Sequence, residues 1–269
     1  MSAPASRVHR LAPGSPGGPL VVLAHGLEDT WRSWLPLAAH LDPDWRVVAL
    51  DLPWRPGNDY GWRAQPPGWW LGDAIDLLDT LPDAVVAHSF GANATLELLC
   101  ARDPRAGRAG ALLCPFYRLP HRPVTWRMFD RSRATFVQQL RDGVRTRLGA
   151  RAETMDPGVL ETMMELTLAR VGPDGFLSVF EQFAASAWLE LGKVEQPTLV
   201  LAGDADQTLS REAALALAGA MPGGEARILP GYDHFCHVKH ACEVAARITG
   251  LVGAALTPAG TTRTGRELR

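Results

Sequence analysis

"VVAHSFGANA", residues 85–94, runs from an apolar triplet into a serine held between small residues. Val85, Val86 and Ala87 read as the end of a buried strand, and the stretch from Gly91 to Arg102 has helical spacing. A serine at such a junction has two explanations. It caps the helix in an ordinary Ser-Gly turn, or the turn is so tight that only Ala87 and Gly91 fit around it and Ser89 is pushed outward. The rest of the chain has to decide.

Working outward, short apolar runs bounded by turn residues recur at 19–26, 45–51, 83–89, 109–115, 197–204 and 225–231. Helical stretches fall between them at 31–41, 68–80, 91–102, 208–220 and 237–250. That alternation predicts an α/β fold, a mostly parallel, doubly wound sheet with helices on both faces. The strands are apolar at consecutive positions, as strands buried on both sides are. The spacing breaks once, between Pro115 and Pro197, where helical stretches occur without a strand. Such a length is too great for a simple crossover. It predicts a helical cap over 116–192 inserted into a core made of 1–115 and 193–254, with a separately folded helical domain as the alternative. Residues 255–269 are polar and predicted to be a disordered tail.

Composition narrows the function. With 269 residues, 46% of them hydrophobic, the chain can bury one substantial core. A formal net charge of −2 gives no general attraction to nucleic acid or to anionic membranes, so neither is an expected partner. The N-terminal stretch has no signal-like apolar core, and no apolar run reaches the roughly 18 residues of a spanning helix. Cys100, Cys114, Cys236 and Cys242 form no CxxC pair. Reduced thiols in a cytoplasmic protein are the expectation. There is no Walker loop, no GxGxxG after a strand, no HExxH and no zinc-finger spacing, so no cofactor and no metal are expected.

A serine hydroxyl is a weak nucleophile. It needs an imidazole to take its proton and a carboxylate to orient that imidazole. Two later segments supply these groups at the carboxyl ends of strands, where open α/β sheets build their sites. "LVLAGDADQT" offers Asp204 and Asp206, and "GYDHFCHVKH" offers His234, His237 and His240. His88 adjoins Ser89, but neighbours on a strand face opposite ways, which makes it a structural residue.

With these motifs in the order Ser, acid, His, the chain resembles the α/β-hydrolase fold superfamily over roughly residues 19–252, with a serine nucleophile and a helical cap. "AHSFGA" resembles the family's nucleophile elbow, with Ala87 where a first glycine is commoner. The family's Gly-x-x-Asp pattern implies Asp206 as the acid, leaving Asp204 as a turn residue. Its Gly-x-x-His pattern implies His234 as the base, leaving His237 and His240 as surface or packing residues. "LAHGLEDTW" resembles the His-Gly oxyanion loop. By that pattern the backbone N–H groups of Leu27 and Phe90 are the oxyanion donors, and His25 and Gly26 shape the loop.

The chain departs from the family at "DLPWRPGNDYGW", where Trp54 stands in place of a glycine. Trp54, Trp62, Trp69, Trp70 and Tyr60 either line a pocket for an apolar acyl group or pack beneath the loop. Glu28 and Asp29, beside the oxyanion loop, either contact a substrate or face solvent. Glu28, Trp54 and Trp126 are taken as the pocket residues. Nine arginines between Arg118 and Arg151 face only Asp130 and Asp142, which suits an acidic carrier protein or a carboxylate substrate, or simply a solvated face.

The resemblance implies a cofactor-free serine hydrolase that cleaves an ester or thioester of a small to medium apolar acyl substrate through an acyl-enzyme on Ser89. An acyltransferase or a cyclising or editing thioesterase would use the same triad with an acceptor other than water. Epoxide- and halide-cleaving relatives use an aspartate nucleophile, which Ser89 disfavours. A binding protein with vestigial machinery is the reading from another class.

Overall fold

A computed structural model describes residues 6–257. Seven strands form one sheet: β1 (Arg7–Ala12), β2 (Leu20–Ala24), β3 (Arg46–Asp51), β4 (Ala84–His88), β5 (Ala109–Leu113), β6 (Thr198–Gly203) and β7 (Gly224–Leu229), in the spatial order β1-β3-β2-β4-β5-β6-β7. All neighbours pair in parallel except β1, which lies antiparallel on the edge of β3. The six apolar runs therefore became the six parallel strands, and β2, β4, β5 and β6 are buried at every position.

β1 was invisible in the sequence. "RVHRLA" is half exposed and its register shifts between Arg10 and Ala12, so it shows no clean alternation. An edge strand is held by backbone pairing on one side, and its side chains need not be apolar.

The helices are α1 (Leu35–Ala38), α2 (Pro67–Ile75), α3 (Phe90–Cys100), α4 (Trp126–Leu148), α5 (Arg151–Thr154), α6 (Pro157–Ala185), α7 (Arg211–Gly219), α8 (Cys236–Lys239) and α9 (Ala241–Leu256). Alternate strand residues sort them to two faces. Val22, Leu50, Val85, Leu112 and Val200 pack under α2, α3 and α7, whereas Val21, Leu23, Val86 and Leu201 pack under α1 and α9. Because α9 continues to Leu256, residues 255 and 256 belong to a helix and not to a tail. The rest of the expected tail, from residue 258, lies outside the described residues.

Between β5 and β6 the chain contains only helices. α4 and α6 pack on each other through Phe136, Val171, Phe176 and Phe180. α6 bends at Gly172, whose φ of 56° leaves the helical path, and Pro173 then starts the second half as a first-turn proline does. Among the described residues no helix is long and apolar enough to cross a membrane. All four cysteines are free thiols.

Candidate active site

After β2 the chain moves to β3 on one side, and it later returns to β4 on the other. The carboxyl ends of β2 and β4 therefore diverge around a crevice, the usual place for a ligand in an open α/β sheet. The loop after β2 carries His25 to Asp29, and the turn after β4 carries Ser89.

Ser89 has φ 53° and ψ −119°, a left-handed conformation that costs energy for a residue with a Cβ. The turn holds it there: the Ser89 N–H donates to the Leu113 carbonyl at 2.8 Å, and α3 begins at the next residue. Gly91 is obligatory, since a Cβ there would sit 2.5 Å from the His25 carbonyl oxygen and 2.8 Å from that of Ala24. The tight-turn explanation of the opening stretch is the one the backbone adopts.

His234 Nε2 lies 2.8 Å from Ser89 Oγ, and His234 Nδ1 lies 2.9 Å from Asp206 Oδ2. All three residues are buried. With the Nδ1 proton donated to Asp206, Nε2 presents its lone pair to the serine hydroxyl. The other oxygen of Asp206 accepts from the Thr208 hydroxyl at 2.5 Å and from the Thr208 N–H at 2.9 Å. Burial pushes the Asp206 carboxyl up, but the neighbouring His234 and the bonds from His234 and Thr208 outweigh it, and the net displacement is downward. Asp206 is thus held as a carboxylate. Asp204 is exposed and accepts from the Gly231 N–H at 2.6 Å, the part of a turn residue.

His25, His88, His237 and His240 are structural. His25 is fully buried, its Nδ1 against the Gly26 carbonyl at 2.7 Å while its Nε2 accepts from the Leu52 N–H at 2.9 Å. His88 Nε2 donates to the His234 carbonyl at 2.7 Å and steadies the base from behind. His237 is fully buried between Trp34 and His88, and His240 stacks on Tyr232. Burial lowers the pKa of His25 and of His88, and brings His237 down to about 4. Asp29, His88 and His237 offer donor atoms within 4.8 Å of one another. The second such group, Cys114, Asp206 and His234, already spends two members on the serine relay.

The family model described as "Alpha/beta hydrolase family" matches residues 21–247. The chain belongs to this family. Among curated proteins, Epoxide hydrolase 4 of Mus musculus is 32% identical over 95 residues, which is 32% of this chain and only 25% of that relative. A membrane phospholipase A described as a bacterial virulence factor superposes with a TM-score of 0.67 at 20% identity, covering 94% of this chain and 87% of the other. The enol-lactonase from Burkholderia xenovorans LB400 gives 0.62 at 20% identity, with 92% and 97% covered. A bromoperoxidase from Bacillus anthracis gives 0.67 at 18% identity, with 92% and 94% covered. At these identities the likeness is one of fold.

One cavity opens onto Ser89 and a second adjoins it. The first, a small one of about 40 Å³, is lined by Ser89, His234, Leu27, Glu28 and Asp29, together with Gln139 and Arg147 from α4. The second is larger, about 410 Å³, the two sharing Phe116, Phe136, Gln139 and Val179.

The expected pocket residues need correction. Trp54 is 1% exposed, donates its indole N–H to the His25 carbonyl at 3.0 Å and packs edge-on against Trp62 and Phe90. It supports the loop from beneath and lines neither cavity. Trp126 is 82% exposed at the start of α4 and turns away from both.

Glu28 does line the small cavity, but its carboxylate is taken. Arg170 of α6 donates to Oε2 at 2.6 Å and the Tyr60 hydroxyl to Oε1 at 3.2 Å, while Arg147 donates to the Glu28 carbonyl at 2.8 Å. Glu28 and Asp29 are both buried, not solvent-facing. Burial raises the Glu28 pKa against the opposing charge of Arg170.

Sequence reasoning missed Thr208, Asn93 and Arg170, and read Arg147 only as one of the nine arginines of 118–151, without its link to Glu28. Asn93 clamps the start of the helical segment through two 2.8 Å bonds with the Phe116 backbone. An Asn among the small and apolar residues of the first turn of α3 was the available signal. The arginines, more than a hundred residues from Glu28, gave none.

Proposed function

We propose that this chain is a serine hydrolase that cleaves an ester or thioester of a small to medium apolar acyl group through an acyl-enzyme on Ser89. The observation that carries this reading is the continuous relay from Ser89 Oγ through His234 to Asp206, with contacts of 2.8 Å and 2.9 Å. As Oγ attacks the carbonyl carbon, its proton passes to His234 Nε2 and the carbonyl oxygen becomes an oxyanion. Phe90, the first residue of α3, has an N–H that the helix does not use, and Leu27 borders the same cavity. These two N–H groups receive the oxyanion, an interaction worth several kcal/mol of barrier, about 3 per donor.

Collapse of the intermediate breaks the bond to the leaving oxygen or sulfur, which takes the proton from Nε2. Water then attacks the acyl-serine with the same histidine as base, releasing the acid and restoring the hydroxyl. No step needs a cofactor. Pairing with Arg170 keeps the Glu28 carboxylate from opposing the developing negative charge. The helices α4 and α6 act as a cap, since both supply residues to the cavities.

Epoxide opening, in the name of the curated relative, does not carry over to Ser89. A serine that opened an epoxide would form an ether, which has no carbonyl for water to attack. The test is intact mass after fluorophosphonate treatment of the native chain, Ser89→Ala and His234→Ala. One adduct on the native chain, absent from both variants, is the expected result. No adduct on folded native chain would favour a binding protein. Product analysis with added amine or alcohol then separates hydrolysis from acyl transfer.

A further inference from the structure

The larger cavity is apolar at its inner end, where it meets the serine through Phe116, Phe136 and Val179, and cationic at its outer end. Arg118, Arg122, Arg127 and Arg131 line it, and no Asp or Glu does. Two of the four are committed. Arg118 is buried and donates to the carbonyls of Ala184 and Arg122, and Arg122 pairs with Glu212 at 2.7 Å. Arg127 and Arg131 are exposed, and among the described residues neither meets a carboxylate. They stand four residues apart on α4, on the face that continues through Thr135 to Gln139. Two like charges at this spacing repel, so the helix gains nothing from the pair itself.

α4 also measures the distance to the reaction. Gln139 borders the serine cavity, and at about 1.5 Å per residue Arg131 lies ~12 Å and Arg127 ~18 Å from it along the axis. An extended chain advances roughly 1.2 Å per bond, so this span corresponds to about ten to fifteen bonds. Resting on the serine-hydrolase reading, we propose that the substrate is an amphiphile: an apolar chain in the aromatic cavity, ending in a carboxylate or phosphate that Arg127 and Arg131 bind. A guanidinium pair suits either anion because both accept two parallel N–H bonds. The anion could belong to the acyl chain, as in the half-ester of a long diacid. It could equally belong to the leaving group, as a phosphate at the end of a thiol arm.

Binding to Ser89→Ala tests this without turnover, so failure here is distinct from failure of the serine chemistry, which fluorophosphonate labelling reads. The first arm compares, by calorimetry, the monomethyl ester of a diacid of about twelve carbons with a neutral ω-hydroxy methyl ester of equal length. The second arm compares an acyl thioester of phosphopantetheine with that of pantetheine, which has the same arm without the phosphate. In at least one arm the anionic ligand should bind about tenfold tighter, with the advantage falling as salt rises. That advantage should vanish in Ser89→Ala carrying R127Q and R131Q and return in part with R127K and R131K. In the first arm it should also vanish for a diacid of about six carbons, which is too short to span. Which arm responds identifies the end that bears the anion. Equal binding of anionic and neutral ligands in both arms, or an advantage that survives R127Q/R131Q, overturns the proposal. Thermal unfolding of each variant confirms that it is folded.

Discussion

At the scale of single residues, the serine relay makes the sharpest demands. Asp206→Asn keeps the shape of the acid but removes the charge that holds the Nδ1 proton of His234. A fall in kcat of about 10⁴-fold is expected, with little change in KM. Thr208→Val tests the positioning of that carboxylate: it removes the hydroxyl bond to Oδ1 and leaves the backbone N–H bond in place. Its kcat should drop by only about three- to tenfold, a lost neutral donor being worth about 1 kcal/mol. Its kcat–pH profile should shift, because Thr208 helps to lower the Asp206 pKa. An unchanged profile would reduce Thr208 to a turn residue. Ser89, Asp206 and His234 were legible because a strand end, a tight turn and a fixed spacing each leave a mark in the sequence. Trp54 was misplaced because an aromatic ring in a loop fits a cavity wall and a packed underside equally well, and Trp126 because a ring at the start of a helix does not reveal whether it faces a cavity or solvent. Only the partners of Trp54, the His25 carbonyl and the Phe90 ring, decide the matter.

At the scale of elements, charged pairs join the helical segment to the rest of the molecule beside its apolar contacts. Arg170 and Arg147 reach from α6 and α4 to Glu28, and Arg63 holds Asp174 and Glu181 of α6 at 2.7 Å and 3.0 Å. The Arg63 pairs are partly exposed and contribute little. Glu28 differs in that its side chain is only 4% exposed. Arg170→Ala would leave a buried carboxylate with Tyr60 as its remaining side-chain partner, at a cost of about 1–3 kcal/mol once the exposure of the arginine is allowed for. The sign with pH follows from the direction of the shift. The Glu28 pKa already lies above its ordinary value, and removing Arg170 raises it further. A carboxyl with a raised folded pKa is harmless when protonated and destabilising once ionised. The urea midpoint of Arg170→Ala should therefore fall further below the native one at pH 8 than at pH 5, and adding Glu28→Gln should recover most of the loss. A deficit independent of pH would mean that Arg170 acts by packing alone. These long-range pairs, like β1, were unreadable because neither salt-bridge partners nor one-sided edge pairing impose a periodicity.

Over the whole molecule, acid stability is set by imidazoles buried for structure. Desolvation lowers the pKa of His25, His88 and His237, the last to about 4, so each stays neutral in the folded chain to lower pH than in the unfolded one. In the unfolded chain they take up protons as pH falls through about 6.5. Between there and the folded values the unfolded state binds more protons, and stability declines by up to about 1.4 kcal/mol per pH unit for each ring. Glu28 and Glu97 work the other way, because burial raises their pKa and their protonation in the fold relieves it as pH falls. Asp206, with its pKa lowered, adds to the loss only at still lower pH. The urea-unfolding free energy should thus be nearly flat from pH 8 to 7 and fall from about pH 6.5 toward pH 4. His237→Leu isolates one contribution, since both ring nitrogens of His237 lack partners and the side chain packs on Trp34. That variant should match or exceed native stability at pH 8, and its decline between pH 6.5 and 4.5 should be shallower by about one proton. If the native slope persists in His237→Leu, the ring is already protonated inside the fold and must hold a buried counter-charge, for which Asp29 is the nearest acid in its cluster.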